Sequence, residues 1–431
     1  ALVVTLDGSG DGHSSPVYEA RHGRLRLLHA VPSFDGVGNY YGYITHLCGF
    51  TMGKHEGKVT GLAAYGTDRY RDVLERFIRY DNGTMRNVGR AFRRVAIEKL
   101  RAALPANPAR EDLAASVQQL SEEICARYVG HWMARTGLTK VALAGGVAAN
   151  VKINQRIHEL PGIEQVFVYP AMSDEGLAAG AALIAAAERS ASGWIPGRRC
   201  FEHVYLGPAY SEGEMTAALS SADVPFTRPA DAEQEIARLL ARGYVVARLA
   251  GRMEYGPRAL GNRSILYRPD DVSANDWLNK RLARTEFMPF APSALAEHAD
   301  SCFENVTGAR DTARFMTMTF ACTRQMREQA PGVVHVDGTA RPQLVGPTDN
   351  PDYRRIIEQF MRITGLPAIV NTSFNMHEEP IVCSPADAVR AFLKGHLDVL
   401  ALGPFLAKSP QADERVRSAA RPEWREQAAP A

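Results

Sequence analysis

The 431-residue sequence has no excess of charge, no cysteine pattern and no long apolar run. Each absence removes a class of function. Fifty basic against forty-eight acidic side chains leave a net charge of +2, which gives no electrostatic case for nucleic acid or a membrane as partner. A small anionic ligand fits better than a polyanion. The six cysteines (Cys48, Cys125, Cys200, Cys302, Cys322, Cys383) are scattered, with no Cys-x-x-Cys pair, as expected of a reducing cytoplasm. No apolar stretch approaches the roughly 20 residues of a membrane span, and the amino end has no basic-then-apolar signal pattern. A cytoplasmic protein is expected. No internal repeat is present, and the length exceeds the size at which a single core stops growing, so two domains are expected.

Against this even background one stretch stands out. Gly251-Arg-Met-Glu-Tyr-Gly-Pro-Arg-Ala-Leu-Gly-Asn-Arg-Ser-Ile265 sets Arg252, Arg258 and Arg263 among glycines, directly after the apolar run 243–250. It reads as a strand opening into an anion-binding loop: glycines bring backbone N–H groups close to a ligand, and guanidinium forks recognise phosphate or carboxylate in pairs. Further basic residues follow on the helix-like segment 277–284 (Lys280, Arg281, Arg284) and in the turn 337–343 (Arg341). An apolar strand then closes on Asn371, Thr372, Ser373 and Asn375, four small hydrogen-bonding residues that mark a site more than a core.

The first half carries a different chemistry. Leu2-Val-Val-Thr-Leu6 is a strand running into Asp7 and a glycine-rich turn, and the alternating residues after it resemble the opening hairpin of an actin/Hsp70-type ATPase half-domain. An aspartate at such a strand end can hold a metal. Because a strand begins at once, a segment upstream is expected to have been lost. Glycines at 53, 57, 61 and 66 keep Lys54 and Lys58 near backbone N–H groups, and residues 68–140 read as mainly helical. Residues 140–150 are strand, the pair Gly145-Gly146, then a helix beginning near Asn150, an arrangement that aims N–H groups at phosphate. A second strand at 166–170 leads to Asp174 and a small-residue helix, so two strand–loop–helix units predict a parallel α/β sheet with Asp174 on a ligand-binding loop. The Gly, Pro and Ser content of 190–215 places a domain boundary there. The residues after Lys408 read as a flexible tail.

Residues 251–265, 337–343 and 371–382, in this order and spacing, resemble the carboxyl domain of the O-carbamoyltransferases of nodulation-factor and antibiotic biosynthesis. Residues 54–66, 145–150 and 174–181 resemble the same family's amino domain. The resemblance implies an actin-like domain over 1–195, incomplete at its amino end, and a YrdC-like α/β domain over 205–408. It implies formation of carbamoyl-adenylate from carbamoyl phosphate and ATP in the second domain, then transfer to the hydroxyl of a small-molecule alcohol in the first. Carried over by position, Asp7 and Asp174 fall on carboxylate ligands of a divalent metal (Fe, Mg or Zn). Arg258, Arg263, Arg341, Asn371 and Ser373, with Asn375 beside them, fall among carbamoyl-phosphate and nucleotide contacts. Lys54, Gly145, Gly146 and Asn150 fall in the amino domain's nucleotide pocket. Two departures stand out. The family's His-x-x-x-His metal pair would lie upstream of residue 1, and its lysine two residues before the position of Arg284 is replaced by Leu282, with Lys280 the candidate substitute. A sugar kinase of the actin-like superfamily would explain residues 1–190 but leave the arginine loop idle. A threonylcarbamoyl-type tRNA enzyme would need a basic surface that +2 does not supply. A non-catalytic nucleotide sensor is the third alternative.

Overall fold

Leu2, Val4 and Leu6 are fully buried and alternate with half-exposed neighbours, the period-two pattern that makes β1 (Leu2–Thr5) a strand against a core. In the computed structural model, which describes residues 1–189, 202–282 and 290–419, β1 is the centre of a five-stranded sheet. Its other strands are β2 (His13–Arg21), β3 (Arg24–Pro32), β6 (Lys140–Ala144) and β7 (Gln165–Val168), in the order β3-β2-β1-β6-β7. β2 and β3 run antiparallel, while β1, β6 and β7 are parallel, with Thr5 beside Ala144 and Leu143 beside Val168. The expected parallel sheet is therefore present. The 27-residue helix Arg110–Thr136 packs on the helices Val37–Leu47 and Val151–His158.

One departure lies inside the stretch read as mainly helical. Residues 78–87 form a hairpin, β4 (Ile78–Asp81) and β5 (Thr84–Asn87), around Asn82-Gly83, both with positive φ. Asn-Gly is the turn pair that matches the twist of paired strands, and it overrides the helical composition on either side.

The described residues fall into two compact units. The first holds residues 1–200 together with Val306–Ala313 and Thr317–Phe320, two short pieces that a boundary near 200 assigns to the second domain. The first piece lies on β7, where Val166 N–H donates to the carbonyl of Gly308 at 2.9 Å and Thr312 Oγ1 donates to Val166 O at 2.7 Å, and the second lies on the helix Val151–His158, where Thr319 Oγ1 donates to Gln155 Oε1 at 2.8 Å. Apart from the two-residue strands β11 (Phe320–Ala321) and β12 (Thr339–Ala340), the remaining strands form the sheet of the second unit. They are β8 (Val246–Leu249), β9 (Arg263–Tyr267), β10 (Ala291–Leu295), β13 (Gln343–Val345), β14 (Ala368–Ser373), β15 (Val399–Leu402) and β16 (Phe405–Lys408), in the order β13-β10-β14-β9-β8-β15-β16.

Helices Ala232–Ala241 and Pro351–Thr364 cover this sheet through Ile236, Leu240, Tyr353, Ile356 and Phe360. Helix Pro385–Lys394 packs on β15 and β8, whose residues are buried throughout, so both faces of the sheet are covered. Part of the tail expected to be flexible is a helix, Ala412–Ala419. Arg415 ties it down through an ion pair to the buried Asp398 at 2.9 Å. Among the described residues no helix is long and apolar enough to cross a membrane.

The second unit fixes one glycine tightly. Gly261 has φ +113°, and a Cβ there would lie 2.5 Å from the ring of the fully buried Tyr353. Gly261→Ala combines backbone strain with overpacking, together about 2–4 kcal/mol, so the thermal midpoint should fall by roughly 5–15 °C. An unchanged midpoint in differential scanning fluorimetry would show that this loop does not need its close seat on Tyr353.

Candidate functional site

In the first unit the carboxyl ends of the three parallel strands are stitched together by backbone bonds. Leu6 N–H donates to Ala144 O at 2.7 Å, Val147 N–H to Leu6 O at 2.9 Å, and Gly145 N–H to Met172 O at 2.6 Å. This close approach requires Gly145, whose φ is +96° and where a Cβ would sit 2.2 Å from the Leu6 carbonyl oxygen. Asp7 emerges at this junction. Its Oδ1 accepts from Gly8 N–H at 2.7 Å, and the Gly146 N–H also hydrogen-bonds its carboxylate. A Cβ on Gly146 would lie 3.2 Å from Asp7 Oδ1 and 3.5 Å from Ser173 Oγ, so Ser173 closes the other side.

Burial pushes the Asp7 carboxyl above its ordinary range. The two N–H bonds oppose that rise, and the negative charge of Asp174 adds to it. Asp7, Gly145, Gly146 and Asp174 thus come together where parallel strands of an α/β sheet bind ligands. Asp174 is solvent-exposed at the start of a short turn of helix, with Ser173 in the cap position.

Two other residues expected in this pocket are placed differently. Asn150 caps the helix Val151–His158, its oxygen accepting from Lys152 N and Ile153 N at 3.2 Å each. Its amide nitrogen donates to Gln118 Oε1 at 2.8 Å and Thr60 Oγ1 at 3.2 Å, and Tyr41 joins the same buried network. With both ends of its amide engaged, Asn150 acts here as a cap and a link between helices. Lys54 is exposed in the turn before the helix Glu56–Leu62.

In the second unit every loop of interest leaves the same end of the sheet. β9 begins where β14 ends, with Ser264 beside Ser373, and β8 ends beside the start of β9, with Leu249 beside Arg263. β10 and β13 also begin there, with Ala291 beside Asn371 and Gln343 beside Ser293. Arg258, Arg341, Asn371 and Ser373 are therefore carried to one edge. Arg258 and Arg341 are both partly exposed there.

The three arginines of the loop do not share one role. Arg263 was expected to contact phosphate, but it is fully buried and its guanidinium donates to five backbone carbonyls. These belong to Pro208, Ala250, Gly251, Asn262 and Cys383, at 2.9–3.4 Å. Arg263 is a clamp that closes the loop on itself, because a buried guanidinium with no carboxylate in contact must spend its donors on carbonyls. Arg252 likewise donates to the carbonyls of Leu206 and Gly207. Of the three, Arg258 is the one that the resemblance places at the anion and that is partly exposed.

Other groups in this region, Arg248, Glu254, Ser293 and Gln343, were given no role from the sequence. Arg248, in β8, is buried and donates to Gly261 O at 2.6 Å and Asn262 Oδ1 at 3.0 Å, and burial holds it below its ordinary range. Glu254 is buried inside the loop. Ser293, Gln343 and Asn371 form a buried polar set: Asn371 Nδ2 reaches Ser293 Oγ and Gln343 Oε1 at 3.0 Å and Ala259 O at 3.2 Å. Gln343 Nε2 donates to Leu260 O at 2.9 Å, so the set holds the two residues after Arg258. A signal existed for Arg248 and Glu254, since a charge inside an apolar strand or an acid among three arginines needs a partner.

Ser373 Oγ donates to Asn375 Oδ1 at 2.7 Å, and Asn375 Nδ2 closes the following turn on Met376 O and Glu379 O. Lys280 is exposed, while its neighbour Arg281 is drawn off to Asp398 at 3.2 Å. Leu282 is fully buried, which suits an apolar side chain and not a lysine. Arg284 lies outside the described residues.

Two family models match this arrangement, the carboxyl terminus of carbamoyltransferases over residues 237–409 and the amino terminus over residues 1–183. The nodulation protein NolO of Bradyrhizobium diazoefficiens is 36% identical over 422 residues, covering 96% of this chain and 76% of that protein. The chain belongs to the carbamoyltransferase family. The nodulation protein NolNO of Sinorhizobium fredii is also 36% identical, over 96% of this chain and 61% of its own length. A protein of Methanocaldococcus jannaschii is 32% identical over 94% of this chain and 70% of its own length. The carbamoyltransferase sequence therefore spans between 61% and 76% of these relatives.

The Asp7 site yields a pH test. Burial raises its folded-state pKa above the ordinary aspartate value, so ionised Asp7 costs stability at neutral pH, and the cost disappears once the pH falls below the ordinary carboxylate range. Asp7→Asn keeps an oxygen for the Gly8 and Gly146 N–H groups and removes the charge. In the ligand-free protein this variant should raise the urea midpoint at about pH 8, with the gain shrinking toward about pH 4. A variant no more stable than wild type at about pH 8 would mean that burial does not strain this carboxylate.

Proposed function

We propose that this carbamoyltransferase makes carbamoyl-adenylate from carbamoyl phosphate and ATP in its second unit. It then passes the carbamoyl group to the hydroxyl of a small secondary metabolite in its first. The observation that carries the reading is the common edge of the second sheet, where Arg258, Arg341, Asn371 and Ser373 are all delivered. A carbamoyl group is a poor electrophile until it bears a good leaving group, and AMP on its carboxyl carbon supplies one. Bringing two phosphorylated reactants together requires cations to screen their repulsion, and Arg258 and Arg341 serve that need. The balance consumes one water and releases phosphate and pyrophosphate; the acceptor oxygen then bonds to the carbamoyl carbon and AMP leaves. In this reading the first unit has an actin-like fold, which its sheet order supports, and the second is YrdC-like. The protein works in the cytoplasm, without nucleic acid or membrane.

The implied metal suits the first unit only in one form. Among the described residues no group of three or more His, Cys, Asp or Glu side chains converges, but Asp7 and Asp174 put two carboxylates within electrostatic reach, one of them partly desolvated. An oxygen-only donor pair fits a hard cation such as Mg²⁺ that keeps waters or substrate oxygens. When bound, such a cation polarises the carbamoyl oxygen or lowers the acceptor hydroxyl's pKa. The chain's own part is to hold the Asp7 carboxylate through the Gly8 and Gly146 N–H groups and to leave room beside Gly146 for a phosphate or acceptor.

Protein incubated with ATP, carbamoyl phosphate and a candidate alcohol should release pyrophosphate only when carbamoyl phosphate is present. A charge-assisted hydrogen bond is worth about 1.5–3 kcal/mol, so Arg258→Ala should slow pyrophosphate release roughly 10- to 150-fold. Asp174→Ala should leave that step nearly intact and stop carbamoylation of the alcohol. ADP as product would replace this reading with a kinase. Preformed carbamoyl-adenylate should rescue the arginine variant alone, and rescue of both or neither would mean one shared site.

A further inference from the structure

The arginine loop is built around a carboxylate that the reaction above does not use. Glu254 is 7% exposed, and its Oε1 accepts three backbone N–H groups, from Leu260 at 2.7 Å, Asn262 at 2.8 Å and Arg263 at 3.2 Å. Its Oε2 is buried and accepts no hydrogen bond among the described residues. The segment 254–263 is thus closed into a ring by one oxygen, with Arg258 at its outer turn.

The charge of Glu254 is not spent on the arginine clamp. Every hydrogen bond of the Arg263 guanidinium goes to a carbonyl, and those of Arg248 go to Gly261 O and Asn262 Oδ1. Glu254 touches the loop through accepted N–H bonds, while its charge acts on Arg263 only at a distance. A simple counter-ion would be expected in a salt bridge, preferably a bidentate one.

We infer that Glu254 is a positioning residue: by gathering the N–H groups of Leu260, Asn262 and Arg263 on one oxygen, it sets the curvature that presents Arg258 to an anionic substrate. The proposal rests on the reading of Arg258 as an anion contact. It requires hydrogen-bond acceptance from Glu254, not its charge. Its carboxylate lies behind a loop already holding two buried cations, Arg248 and Arg263, so neutralising it leaves the site more positive. The two ways Glu254 could act therefore predict opposite results for Glu254→Gln. Gln keeps Oε1, and the amide it places at Oε2 breaks no bond.

Inorganic pyrophosphate binding is measured by calorimetry on the full chain, together with melting and the hydrogen exchange of the Leu260, Asn262 and Arg263 amides. Glu254→Gln should bind pyrophosphate as tightly as wild type or more so, and keep the three amides slow. Glu254→Ala should weaken binding roughly 10- to 150-fold, the span expected when one charge-assisted contact is lost, and release the amides. In turnover the loss should fall on pyrophosphate release from carbamoyl phosphate, with transfer from preformed carbamoyl-adenylate unchanged. If Glu254→Ala does not fold, Glu254→Asp, one methylene short of the N–H groups, must show the same loss.

Alanine or aspartate variants that bind like wild type would overturn the positioning role while leaving Arg258 in place. A Gln variant as weak as Ala would overturn the hydrogen-bond basis in favour of charge. Wild type that binds no pyrophosphate would remove the reading of Arg258 itself, and the positioning role with it.

Discussion

The second unit depends on how two guanidinium groups are buried. Arg248 is 3% exposed and Arg263 0%, and neither touches a carboxylate, so their donors must be met by neutral oxygens, backbone carbonyls and the Asn262 amide. Loop 250–262 takes its path from that need. Carbonyls of Ala250, Gly251 and Asn262 turn inward to Arg263, that of Gly261 turns to Arg248, and those of Pro208 and Cys383 are drawn in from other segments. The positive φ of Gly251, Gly256 and Gly261 follows from the same demand, since the chain must reverse its carbonyls within a few residues. Helix Pro385–Lys394 is drawn into the arrangement at its amino end. Ser384 and Asp387 form a capping box there, which fixes the Cys383 carbonyl where Arg263 Nε reaches it.

The first unit follows the opposite electrostatic rule. There the strand ends gather N–H groups and glycines around a carboxylate, and the cost appears as a raised Asp7 pKa rather than as a clamp. A desolvated carboxylate beside a second one is destabilising until a cation or proton arrives, the kind of local conflict that persists at functional sites. Buried orphan acceptors in the second unit tell a related story. Asn371 Oδ1 and Glu254 Oε2 accept nothing among the described residues, at a cost of about 1–3 kcal/mol each. Both lie next to the loop that carries Arg258, so stability is lost where the loop is shaped.

Much of this could be read from the sequence because the strongest signals were local. Strand, glycine pair and helix at 140–150, the strand before Asp174 and the apolar run before Gly251 each carry their fold in a few residues, and the parallel and mixed sheets follow. What stayed hidden depended on partners distant in sequence. Nothing near Arg263 reveals that Cys383 O will take its Nε, and nothing near Asn150 reveals Gln118 or Thr60. A count of arginines cannot tell which of them hold backbone, because that depends on which carbonyls the fold leaves unsatisfied. The same holds for Val306–Ala313, whose sequence carries no sign that it packs on β7.

On the proposed reaction, the two units would meet requirements that one shell of residues could not. Adenylate formation brings anions together and needs fixed cations, the part that the proposal gives to Arg258 and Arg341 at one end of the second sheet. Carbamoyl transfer to an alcohol needs the acceptor proton removed, for which carboxylates and a cation held by them are suited and a ring of arginines is not. Asp7 placed beside Arg258 would form an ion pair and lose both functions, since an arginine at hydrogen-bond distance holds a carboxylate ionised and occupied. Separation of the charges onto two sheets keeps each set available for its own anion or cation. On the proposed reaction, the activated carbamoyl group is then the one species that both units must recognise, while the N–H groups of Gly145 and Gly146, expected to face phosphate, are taken by the Met172 carbonyl and the Asp7 carboxylate.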